Sequence, residues 1–186
     1  MDHLVFVAPD LDEGVRYIED LLGVETSPGG QHHGVGTRNR LVGLGSDMYM
    51  EIVSVDPSQP TPARPRWFGL DHVTEPRLAT WCVRSANLDG LVKRGRAAGI
   101  DLGATTAGVR QRPDGSRLEW TVTDPWAERA DGVLPFFIDW GDAKHPARSL
   151  PAVCSFVGLE LQHPEAATVA TWFKALGLDE QVFAGD

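Results

Sequence analysis

The sequence predicts an α+β fold built from two βαβββ units and a truncated third βα unit. Three observations carry this. The order strand, helix, glycine stop, three strands runs twice, with the helix caps Asp10 and Asn87 about 77 residues apart. A proline-rich stretch separates the two runs. A third strand–helix start, again closed by a glycine, follows the second run. A repeat of this kind is stronger than any motif, because it depends on no single residue.

The first strand is the apolar run His3–Ala8, rich in β-branched and aromatic residues. Asp10 then caps a helix. Asp12 and Glu13 fall in its first turn, where the helix dipole favours negative charge. Val15, Ile18, Leu21 and Leu22 recur at helical spacing, and Gly23 ends the helix. The stretch SPGGQHHGVGTRNR has too many glycines for a helix interior. It reads as a strand edge, an irregular loop and a new strand. Arg40–Leu44 and Met48–Val55 form a hairpin about Gly45-Ser46-Asp47.

Residues 56–77 carry five prolines and read as a linker, with Trp67 and Phe68 packing it down. Leu78–Ser85 opens the second unit. Asn87 caps a helix carrying Leu88, Leu91, Val92 and Ala98, and Gly99 stops it. Ile100–Arg112 is strand or loop, Pro113-Asp114-Gly115-Ser116 a turn, and Leu118, Trp120 and Val122 alternate as a strand before a last one at Val133–Trp140. The third start places a strand at Ser155–Gln162 and a helix with Val169, Trp172, Phe173 and Leu176 on its apolar face, closed by Gly177. The chain thus divides into a first unit over 1–55, a linker over 56–77, a second unit over 78–142 and a partial third over 143–186, in one globular body.

A net charge of -9 repels phosphate backbones, which argues against a nucleic-acid partner. No run reaches the roughly 20 apolar residues of a membrane span, so no membrane partner and a cytoplasmic location are expected. Cys82 and Cys154 sit in apolar runs without CxxC spacing and read as buried thiols.

Several residues stand out for chemistry. His32 and His33 are adjacent in an extended stretch, so they point opposite ways. His33 is assigned to a ligand, with a solvated loop histidine as the alternative. Thr37 and Asn39 share a strand face and either bond a ligand or cap strand ends. Trp120, Phe137 and Trp140 either line a ligand cavity or pack the core. Arg110 and Arg112 either meet an anionic group or lie on a solvated edge. His72 reads as a surface residue. No GxSxG or HExxH motif is present.

The repeated units, the opening DHLVFVAPDLDEGVRYIEDLLGV and the strand MYMEIVSVD resemble the vicinal oxygen chelate superfamily. Within it, GGQHHGVGTRNRLVGLG, RPRWFGLD, RPDGSRLEW, LPFFIDWG and the HPA of 145–147 resemble the glyoxalase-like domain family, in order over essentially the whole chain. The resemblance implies two βαβββ modules side by side, their sheets curling into an open, concave, barrel-like sheet around a small-molecule pocket. A fold alone implies no reaction.

The resemblance also implies a divalent metal (Zn, Ni, Mn or Fe), held from the first and fourth strands of each module. His3 and Glu51 match those positions in the first module, as metal ligands and catalytic residues. In the second module the repeat offset places Thr80 on His3, with the thiol of Cys82 two residues along. Glu51 falls near Phe137. Asp139 shares that strand face and reaches a metal only in another register, and His145 follows just beyond. The alternative is a metal-free His3, hydrogen-bonded to Glu51. Two functions stay open: a metal-dependent lyase or isomerase, and a metal-free, ligand-sequestering protein of the drug-resistance type. A monomer and a homodimer both fit, since both modules lie in one chain.

Overall fold

A computed structural model describes residues 1–112 and 114–185. The first unit comprises β1 (His3–Val7), α1 (Leu11–Leu22), β2 (Ser27–His32), β3 (Thr37–Gly43) and β4 (Tyr49–Val55). The second comprises β5 (Arg77–Arg84), α2 (Leu88–Ala97), β6 (Thr106–Gln111), β7 (Arg117–Val122) and β8 (Phe136–Asp139). The two βαβββ units stand side by side, and their strands join into one barrel in the order β1-β4-β3-β2-β6-β7-β8-β5. Between the units β1 and β5 run antiparallel over most of their length, whereas β2 and β6 meet at a single pair, Gln31 and Gln111. The barrel is therefore closed, but only lightly at that seam.

The caps work as the residue types dictate. Asp10 accepts the N–H groups of Asp12 and Glu13 at 2.9 and 3.2 Å, and Gly23 ends α1 in the left-handed region at φ 66°. Asn87 accepts the N–H of Gly90 and opens α2. α1 lies close on the sheet because Gly14 has no side chain: a Cβ there would come within 2.6 Å of the Ala8 Cβ.

Strand alternation sorts the apolar residues into two cores. Leu4, Phe6, Ile52, Trp81 and Phe137 face outward and join Ile18, Leu91, Val169 and Phe173 of the helices. Val5, Val7, Val53, Cys82, Phe136 and Ile138 face the barrel interior. Both cysteines are free thiols, Cys82 buried and Cys154 partly so.

Pairing registers show the internal symmetry. His3 pairs with Cys82 and Val5 with Thr80. The repeat offset exchanges these two pairs, which is what a pseudo-two-fold axis between β1 and β5 requires. Val5 also pairs with Glu51, and its counterpart Cys82 pairs with Phe136. The second-module equivalent of Glu51 is therefore Phe136, one residue before the expected Phe137.

Two other expectations change. Val133–Trp140 narrows to β8, because Ala130–Gly132 form a 3-10 turn ahead of it. Ser155–Gln162 pairs only at β9 (Leu161–Gln162), against β10 (Val182–Phe183). A closed barrel leaves no free edge for a ninth strand, and Val157 is 99% exposed. The third unit is thus chiefly α3 (Ala166–Leu176), packed on α2 and closed by Gly177 at φ 77°. Pro113 of the expected turn lies outside the described residues. Gly115 beside it has φ 81°, and the N–H of Arg112 bonds the carbonyl of Ser116.

The linker folds back as a 3-10 segment, Trp67–His72, across one mouth of the barrel. Phe68 sits at φ 57°, a conformation that costs a bulky residue about 1–3 kcal/mol. Its ring packs against Trp67 and Phe136, which holds it there. His72 is exposed. Among the described residues, no helix is long and apolar enough to cross a membrane.

Candidate functional site

Inward-facing residues of both units and the folded-back linker enclose one cavity inside the barrel. Its free volume is small, about 40 Å³, below the range of drug-sized ligand sites, so a ligand with a ring needs the wall or the folded-back linker to give way. Tyr49, Trp67, Phe68, Trp120, Phe136 and Trp140 supply the aromatic wall, and His3, His32, Glu51 and Arg110 the polar groups.

Two polar clusters support this wall. In the first, Glu51 of β4 and His32 of β2 face each other over the intervening β3, with the His32 Nε2 3.8 Å from a Glu51 oxygen. Each is held from behind. The Thr37 hydroxyl bonds His32 Nδ1 at 2.9 Å, and the Asn39 amide donates to Glu51. Asn39 also accepts the N–H of Gly30. Burial lowers the His32 pKa to about 4. The Glu51 carboxylate opposes that, and Arg110 and His33 add to it. His32 is therefore neutral at pH 7.

This has a measurable consequence. The unfolded chain takes up the His32 proton near pH 6.5, the folded chain only near 4. The contribution of neutral His32 to stability is thus complete above pH 6.5 and lost as pH falls toward 4, by about 3 kcal/mol. Urea midpoints measured between pH 7 and 4.5 should show the loss, and His32→Gln should flatten it. An equal slope in both proteins would rule His32 out as its source.

The second cluster centres on Asp2, which is fully buried. One oxygen accepts His3 Nδ1 at 2.7 Å, and the other accepts Arg84 Nε at 2.9 Å, Trp140 Nε1 at 3.0 Å and His145 Nε2 at 3.1 Å. Burial pushes the Asp2 carboxyl up, but the hydrogen bonds from His145 and His3 outweigh it and hold the group well below the usual carboxylate range. His3 is thereby fixed with its ring stacked on Tyr49 at 4.7 Å and its edge toward Phe136.

The expected site residues divide as follows. His3, Glu51, Arg110, Trp120 and Trp140 line the cavity together. Thr37 and Asn39 do share a face, but they touch His32 and Glu51. His33 is exposed and bonds Gln111; the inward member of the pair is His32, which faces the same way as Gly30 two residues earlier on β2. Phe137 and Asp139 also point away from the cavity. The register places Phe136 and Ile138 inward, so Phe137 enters the helix-facing core and the Asp139 carboxylate accepts the Gly141 N–H outside. Arg112 bonds Ser116 at the β6–β7 turn.

The donor chemistry bears on the implied metal. His3 and Glu51 line the same cavity, His3 with its Nδ1 held by Asp2, and Glu51 held by Asn39 and facing His32. His145, the other expected helper, is committed to Asp2. The second-module equivalents, Thr80 and Phe136, add no strong ligand. Asp2, His3 and Cys82 have donor atoms within 4.8 Å of one another, close enough by distance to share an ion. Asp2 already accepts four donors, so an ion shared by this group would have to displace those hydrogen bonds. Asp2 thus organises a hydrogen-bonded cluster with His3, Arg84, Trp140 and His145.

Sequence reasoning missed Asp2, His32, Tyr49, Trp67, Phe68, Phe136 and Ile138. Tyr49 carried a signal, since it lies two residues before Glu51 on one strand face. Asp2 carried none, because its partners come from β1, β5 and the segment after β8.

Comparison with known proteins places this geometry. The family model described as "Glyoxalase-like domain" matches residues 1–177. No curated protein matches the chain. A hypothetical protein from Staphylococcus aureus shares the fold at 15% identity and TM-score 0.68, over 100% of this chain and 86% of that one. Methylmalonyl-CoA epimerase from Mycobacterium tuberculosis aligns at 21% identity and TM-score 0.42, over 75% of this chain and 87% of its own. A hypothetical protein from Bacillus halodurans aligns at 12% identity and TM-score 0.48, over 77% and 96%. At such identities the likeness is one of fold.

Proposed function

The chain belongs to the glyoxalase-like domain family, and on that premise we propose that its barrel binds one small organic molecule with an aromatic or apolar body, without need of a metal. The observation that carries this reading is the cavity itself. It is walled by six aromatic side chains, Tyr49 among them, and holds a small set of buried polar groups fixed from behind.

The wall provides its own reporter. Phenylacetate and phenylacetamide, as ring-bearing probes, should change the tryptophan fluorescence of the protein in a saturable way. Dialysis against EDTA should leave the response intact. Trp120→Phe should reduce its amplitude while calorimetry still detects binding, because Trp120 lies on the wall and lends its indole N–H to no partner among the described residues. If neither probe perturbs the protein, or if EDTA abolishes the response, the reading fails.

A second reading, isomerase chemistry, has one observation in its favour. Glu51 and the neutral His32 sit together on the cavity wall, a carboxylate base beside a group able to relay a proton. Glu51 would take a proton from carbon beside a ligand carbonyl and return it, a redox-neutral exchange. Solvent deuterium should enter 2-oxobutyrate faster with the protein than without it, and Glu51→Gln should remove the excess. Probe binding with no exchange favours the ligand-sequestering alternative.

A further inference from the structure

Among the described residues, three buried side-chain N–H groups lack a hydrogen-bond partner, and two of them, Arg110 Nε and Trp67 Nε1, belong to this one cavity. Arg110 is 5% exposed and forms no ion pair or hydrogen bond among the described residues. Glu51 acts on it electrostatically but stands beyond ion-pair distance, and takes its hydrogen bond from Asn39. A buried guanidinium N–H with nothing to donate to is costly in any fold. Here the fold makes room for it. A Cβ on Gly30 would come within 2.8 Å of the Arg110 Cγ and 2.2 Å of the Gln111 carbonyl, so the glycine of β2 clears the path of the arginine stem at the barrel seam. Two glycines that make no turn, Gly29 and Gly30, thus have a spatial reason, since a Cβ on Gly29 would strike Asn39 in the same way.

We propose that the ligand is an organic carboxylate, its anionic group received by Arg110 with the indole N–H of Trp67, and its body laid along Trp120, Phe136 and Trp140. A carboxylate supplies both missing acceptors and the missing charge, which a neutral carbonyl does not. Burial lowers the Arg110 pKa from its ordinary value, with Tyr49 and Glu51 opposing, and the side chain remains a cation at neutral pH. This rests on the reading of the barrel as a small-molecule site, and adds the class of molecule.

Phenylacetate and phenylacetamide have one shape and differ in charge, so they separate the two ideas. The wild-type protein should bind phenylacetate at least tenfold more tightly than the amide. Arg110→Met should bring the two within about twofold, chiefly by weakening phenylacetate, and should melt no lower than wild type, since it removes an unpaired buried charge. Trp67→Phe should weaken phenylacetate several-fold while keeping the ring. Should Arg110→Met fail to fold, Arg110→Gln gives the same comparison. Equal binding of acid and amide by the wild type, or an acid preference that survives loss of Arg110, overturns the carboxylate assignment and leaves the binding cavity standing. Binding of neither probe overturns both.

Discussion

Asp2→Ala should destabilise the protein by about 3–5 kcal/mol, the cost of removing one partner from a buried charged cluster. The side chain is fully buried and accepts from His3, Arg84, Trp140 and His145. Alanine leaves three of those donors, on His3, Trp140 and His145, buried without an acceptor. Arg84 is partly exposed and recovers water. The loss should read as a shift of the urea midpoint with unchanged slope. Asp2→Asn, of equal size, should recover only part of it, because the amide is neutral and its nitrogen faces donors. The sign with pH follows from the direction of the shift. Asp2 has a lowered folded pKa, so its contribution is complete above the ordinary carboxylate value of 3.8 and is lost only as pH falls below it. The gap between wild type and Asp2→Ala should therefore hold steady from pH 5 to 8. A loss under about 1 kcal/mol would mean that the cluster does not hold these elements together.

Phe137→Ala should cost about 3–5 kcal/mol and leave probe affinity in the folded protein within about twofold. Phe137 is 1% exposed and sits in the core between the sheet and the helices, with Leu91, Val92 and Phe173. Its neighbour Phe136 faces Phe68 and His3 on the cavity wall. Phe136→Ala should therefore change probe affinity, and the pair of variants tests the register of β8 directly. Weakened binding in Phe137→Ala at full folding would place that ring on the cavity side and the strand one residue out.

That register marks where local reasoning stops. The first module was legible because its contacts are short in sequence. Asp10 and Gly23 bound α1, the strands alternate, and His3, Glu51, Thr37 and Asn39 then fall on one side of the sheet. The second module has the same pattern with loops of different length, so the helix cap no longer fixes its last strand, and matching that strand to Glu51 by pattern misses the true equivalent, Phe136, by one residue. In a strand one residue exchanges inside for outside, which is how Phe137 and Asp139 left the site and Phe136 and Ile138 entered it. His32 and His33 show the same limit: a loop edge leaves open which member faces inward, and the contact with Thr37 decides it.

By itself, the sequence determined the strand–helix order, the repeat and the family, because periodicity, caps and glycine stops act over a few residues. Tertiary structure alone decided the cavity. It brought Arg110 from β6, Trp67 from the linker and Glu51 from β4 to one wall, and it buried Asp2 among groups from distant parts of the chain. No local rule reports these meetings, since the closing of the barrel sets them, and with them the charge left without a partner.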